Sequence, residues 1–216
     1  MKNDRLRFFS ERMDFLSRRD RVFINNPVIM QGLGLAPIVI PATSIQKALV
    51  LAVAVALLLT PTRVIATFIG QRTGFKLRAA LYAITSGIVF VFVSFAVDFL
   101  FGSSVRNVGI YLPLLVLEPL IIKRYENDSR ERITTSFKKG VITTLGFCLA
   151  LFIIAGVREV LAFGTFAGVE VFRIALLPMA SEPAGGFILV GLIAALWRGI
   201  VNDFKKRVSM GMRESE

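Results

Sequence analysis

The chain contains no histidine and a single cysteine, Cys148. Histidine titrates nearest to neutral pH and is the commonest metal ligand, so its absence removes the usual acid–base groups and most zinc sites. One thiol forms no intrachain disulfide and no cysteine-based metal cage within one copy. Because it lies inside an apolar run, Cys148 reads as a small buried hydrophobe. There is no phosphate loop of the GxxxxGK type and no dinucleotide-binding glycine fingerprint after a strand. Group-transfer catalysis by this chain alone is therefore not expected; at most it is a non-catalytic subunit of an enzyme. Acidic residues are also scarce, 15 against 26 Lys and Arg, which gives a net charge of +11.

What the chain has in quantity is apolar sequence. Of its 216 residues 55% are hydrophobic, and the mean hydropathy is +0.68. The runs are too long to bury inside so small a soluble domain, and lipid is the simpler solvent. Crossing the hydrocarbon core, ~30 Å thick, takes roughly 20 apolar residues in a helix. Residues 48–69, 79–101 and 140–157 reach or approach that length, and 185–201 follows them. None alternates in polarity as a β-barrel strand would. Two further segments, 28–40 and 108–122, are short and carry Pro37, and Pro113 with Pro119, respectively. Backbone groups freed at such breaks are tolerated at membrane depth only where protein or a wet cavity satisfies them.

The expected fold is an all-α integral membrane protein of six transmembrane helices. Each short, proline-broken segment opens a group of three, and "LGLAP" at 33–37 weakly echoes "LVLEP" at 115–119. Three spans per half make the second half enter from the opposite side, an inverted repeat whose functional site lies where the broken helices meet. The organisation is a basic tail over 1–26, membrane repeats over 27–107 and 108–201, and a tail over 202–216. The tails are expected to be helical surface segments, and the semi-apolar stretch 158–182 an interfacial or re-entrant outer segment.

The basic residues sit between and outside the apolar runs, so they argue for topology rather than for nucleic-acid binding. With the amino terminus inside, inner segments carry 21 Lys and Arg: seven before the first span, three at 72–78, six at 123–139 and five from Arg198 on. Outer segments carry four, Lys47, Arg106, Arg158 and Arg173. The positive-inside rule then puts both termini of this multi-pass protein in the cytoplasm. The first 26 residues are charged throughout, with no apolar cleavage segment directly after them, so a retained first span is expected rather than a removed leader.

Two charges fall inside the apolar segments. Glu118 precedes Pro119 in the broken fourth segment, and Arg63 follows Pro61 in the second. A carboxylate at mid-membrane faces a partner, a wet cavity or a counter-charge. Glu118 and Arg63 are thus the candidate midplane charge site, either as an ion pair pinning two helices or with Glu118 binding a cation or proton. The hydroxyls Thr134, Thr135 and Ser136 precede the fifth run, where they are expected to cap a helix start.

Four motifs resemble one family in order: "NNPVIMQGLGLAP" at 25–37, "GIYLPLLVLEPLIIKR" at 109–124, "VREVLAFGTFAG" at 157–168 and "PAGGFILVGLIAA" at 183–195. They are similar to the E subunit of the Rnf complex and the D subunit of the Nqr complex. That resemblance implies six helices in an inverted repeat, with membrane lipid, an opposite-topology A-type Rnf (or E-type Nqr) subunit and other complex subunits as partners. It also implies electron flow coupled to sodium or proton movement. A homodimer is the alternative assembly, and a cluster-free carrier, channel or anchor on the same scaffold is the alternative function. Paired subunits of the family hold a 2Fe–2S cluster on two cysteines each. Here those cysteine positions are Ala36 and Pro119, and neither can supply a thiolate, so no cofactor is expected to be ligated by this chain.

Overall fold

The computed structural model describes residues 21–32, 34–72, 77–125 and 132–213. The first twenty residues of the amino-terminal tail, Leu33, residues 73–76 and 126–131, and 214–216 lie outside them, together with the charges counted there.

Among the described residues four helices are long and apolar enough to cross a membrane: α2 (Ile45–Gly70), α3 (Arg78–Phe101, continued by a 3-10 turn, Gly102–Asn107), α6 (Ile133–Phe163) and α7 (Pro183–Arg213). At 1.5 Å per residue the 26 residues of α2 span about 39 Å. The two segments read as broken are short. The first consists of turns followed by α1 (Leu35–Val39). The second is α4 (Tyr111–Leu114), a 3-10 turn (Leu115–Leu117) and α5 (Glu118–Tyr125). The only strands among the described residues are β1 (Thr165–Phe166) and β2 (Val169–Glu170).

The α2–α6 contact is the most extensive in the chain, and α3 packs on the other side of α2. α2 and α6 bury far more of their surface than α3 and α7 do. Leu51, Leu58, Leu151 and Ile154 lie fully buried between them. On α3, by contrast, Ile84, Ile88, Phe92, Phe95 and Phe99 are exposed along one face. A face of that kind suits lipid or another subunit, not water.

Local chemistry sets the ends of these elements. Ser44 caps α2 by accepting from the Lys47 amide at 3.4 Å. α6 stops at Gly164, whose φ of +70° ends the helix in a left-handed cap. The two-residue turn Ala167–Gly168 has positive φ at both positions, matching the twist of the β1–β2 hairpin with Thr165 opposite Glu170. The hydroxyls expected to cap α6 do not: its cap residue is Arg132, with no side-chain bond, and Ser136 is instead buried against α2. The outer segment begins differently from the expectation as well. Arg158 is not a loop charge but a fully buried residue of α6, which leaves three of the four cations counted outside. α7 runs through residue 202 without a break.

Candidate functional site where the broken segments meet

The first segment reaches mid-bundle as irregular backbone, and Asn26 makes that possible. Fully buried, it donates from Nδ2 to the carbonyls of Val22 and Gly146, each at 2.8 Å, and accepts on Oδ1 from Val28 and Ile29 at 2.9 and 3.2 Å. One side chain thus bonds four backbone groups and holds the irregular segment against α6. The same segment is tied to α7: Phe23 stacks on Trp197 at 5.6 Å, and Arg198 donates to the Met30 carbonyl at 2.9 Å.

Beyond the turn, Gly34 takes φ +67° before α1 starts. A Cβ there would collide with the ring of Phe147 on α6 and stand 3.0 Å from Glu118 Oε2. The two proline-broken segments therefore touch through Gly34 and Glu118, with Phe147 as their floor. Glu118 is 5% exposed and opens α5, a helix that packs on α2 and α3. Its Oε2 has no hydrogen-bond partner, and Glu118 forms no ion pair with any described residue.

Arg63 is equally buried but stands elsewhere. It lies seven residues before the end of α2, roughly 10 Å along the axis from Gly70. Its Cδ is 3.5 Å from where a Cβ would sit on Gly140, and its carbonyl accepts from Ser136 at 3.3 Å. Hydroxyls surround this level of the bundle. Thr67 bonds Ser136 at 2.8 Å and Tyr82 at 3.2 Å, and Thr60 bonds Thr144 at 3.1 Å. The structure thus brings Glu118 to the other broken segment and not into an ion pair with Arg63.

Of the two positions where the resemblance implies cysteines, Ala36 is exposed on α1 and Pro119 is buried in α5. Cys148, next in sequence to Phe147, points the other way, with Sγ 3.8 Å from the Ala52 carbonyl on α2. Neither side chain is a thiolate ligand: one is a methyl group and the other a pyrrolidine ring. No group of three potential metal ligands occurs among the described residues.

Sequence reasoning missed the pair at the opposite end. Arg158 carries no acidic partner among the described residues; its guanidinium donates to the carbonyls of Val39, Ala42 (3.3 Å), Ala180 (2.9 Å) and Ser181 (3.2 Å). It thereby ties the chain just beyond α1 to the 3-10 turn Pro178–Ser181. Gly186 leaves room for it, since a Cβ there would lie 2.9 Å from the guanidinium carbon. Glu159 accepts from the Ile45 amide at 2.6 Å, from Gly168 at 2.9 Å and from the Thr165 hydroxyl at 3.2 Å, capping α2 and fastening the hairpin. Both residues stood in plain view within "VREVLAFGTFAG", and a buried role could have been suspected from that motif.

Residues 16–194 match the family described as Rnf-Nqr subunit, membrane protein. The E subunit of the proton-translocating ferredoxin:NAD(+) oxidoreductase complex of Clostridium ljungdahlii is 27% identical, over 86% of this chain and 88% of its own. The E subunit of the ion-translocating oxidoreductase complex of Shewanella oneidensis is 29% identical, over 85% and 86%. Its counterpart in Pasteurella multocida is 28% identical, over 81% and 85%.

Proposed function

From the premise that this chain belongs to the Rnf-Nqr family of membrane subunits, we propose that it is an integral subunit of an Rnf- or Nqr-like electron-transport complex. The complex would sit in a bacterial cytoplasmic membrane and couple redox chemistry to Na+ or H+ movement, and this chain would contribute no ligand to a 2Fe–2S cluster. The observation that carries this reading is the likeness to the E subunits of such complexes along most of the chain's length.

The packing supports the six-span inverted repeat. Each broken segment leans on the long helix that follows the other one: α1 on α6, and α5 on α2. That exchange is what a pseudo-twofold axis between two halves produces. The exposed apolar face of α3 supports lipid and partner subunits as neighbours, an opposite-topology A-type Rnf or E-type Nqr subunit among them, and the charge bias supports cytoplasmic termini. Ala36, exposed on α1, would then face that partner with a methyl group where the family has a thiol. A cluster-free carrier, channel or anchor is the second reading, favoured by the unpartnered carboxylate of Glu118 at the junction.

Affinity purification of the tagged full chain from native membranes separates the two. Recovery of redox subunits, with iron and acid-labile sulfide that do not depend on Cys148, is the expected result. A chain recovered repeatedly without partners overturns the complex assignment. A stoichiometric cluster on the chain alone overturns the ligand assignment.

A further inference from the structure

We propose that Glu118 is a proton-binding site, its carboxyl taking up and releasing a proton where the two broken segments meet. The inference rests on the membrane reading above and not on the electron-transport assignment. Three observations converge on it. The side chain is 5% exposed, Oε2 accepts no hydrogen bond, and no described cation pairs with it. An ionised carboxylate held that way in an apolar bundle is unfavourable, whereas the protonated form is tolerated.

Among the described residues, no cation on the elements around Glu118 pairs with its carboxylate. On α2, Lys47 donates to Thr43 at 3.0 Å and Arg63 lies at the level of Thr60 and Gly140. On α3, Asp98 is exposed, Arg78 is the first helical residue and Tyr82 bonds Thr67. On α6, which supplies Phe147, Arg158 and Glu159 are engaged at the outer end, and Lys138 and Lys139 lie in the first turns. α1 itself carries no ionisable side chain.

A metal cation is the poorer fit. A dehydrated hard cation needs several oxygen ligands at once, and Glu118 belongs to no cluster of acidic side chains among the described residues. A proton needs one. The step is balanced by water: the Oε–H bond breaks, H+ leaves to water, and the carboxylate keeps the electron pair. Gly34 matters here because any Cβ would crowd the oxygen that must be reached.

The test is infrared difference spectroscopy of the purified full chain in lipid nanodiscs, titrated from acid to alkaline pH in H2O and D2O. A carbonyl-stretch band of a protonated carboxyl, distinct in frequency from the bands of the exposed carboxyls and shifted in D2O, is expected in the wild type. It should vanish in Glu118→Gln and persist in Glu182→Gln, which alters an exposed carboxylate. If Glu118→Gln does not fold, Glu118→Asp keeps a carboxyl and must show the band with a changed frequency and titration midpoint. A wild type without the band, a band that survives in Glu118→Gln, or an unaltered band in Glu118→Asp overturns the proposal. Loss of the band on replacing KCl by NaCl at fixed pH also overturns it, because the site would then hold a metal cation. Each of these results leaves the co-purification outcome untouched, so the two readings fail separately.

Discussion

Glu118 Oε2 lies 3.0 Å from where a Cβ would stand on Gly34, across the junction of two segments 84 positions apart. The contact joins the two halves of the chain at the place where each lacks a continuous helix.

Gly34→Ala therefore meets two penalties, a left-handed φ of +67° and a collision with Phe147. Gly32→Ala meets mainly the first, since φ is +72° and the nearest atom beyond its neighbours is 3.9 Å away. Gly32→Ala should cost about 1 kcal/mol, and Gly34→Ala should exceed it by about 1–3 kcal/mol, in the range of overpacking. Thermal unfolding in detergent, read by circular dichroism, checks the order. Equal costs would mean that the junction is not tightly packed.

Arg158→Ala strands carbonyls of the turn after α1 and of Pro178–Ser181. A loss of about 3–5 kcal/mol is expected, the cost of breaking a buried charged network. Arg158→Lys should not restore it, because an ammonium cannot span donors to four separate carbonyls as a planar fork does. Limited proteolysis between residues 164 and 182 should accelerate in both variants. Full rescue by lysine would show that charge, rather than geometry, is what Arg158 supplies.

Glu118→Gln and Arg63→Met should be nearly additive in stability. No ion pair involving Glu118 forms among the described residues, so a double-mutant cycle should return a coupling below about 0.5 kcal/mol. A coupling several times larger, with the double variant more stable than Glu118→Gln alone, would reinstate the ion pair that the sequence allows.

Single cysteines at Arg106 and Arg173, both exposed, should react with an impermeant maleimide in intact cells in a Cys148→Ser background. Cysteines at residues 10 and 210 should react only after lysis. The reverse pattern would invert the topology.

Sequence alone determined the solvent and the breaks. Lipid tests each run separately, by length and polarity, so 48–69, 79–101, 140–157 and 185–201 declared themselves without reference to any neighbour, and Pro37, Pro113 and Pro119 marked the two segments whose helices stay short. Tertiary structure decided which charged residue meets which group. Arg63 and Glu118 looked like partners because they were the two charges inside apolar segments, yet the rotation of α2 directs Arg63 toward α6 while Glu118 lands beside Gly34. Arg158 looked like a loop cation because it directly follows an apolar run. α6 in fact continues past that run to Phe163, and Arg158 meets carbonyls 116 and 119 positions away. Hydropathy is a property of one segment, whereas the partner of a buried polar group depends on which faces of distant segments are turned together. That is fixed only when α1, α5, α2 and α6 pack.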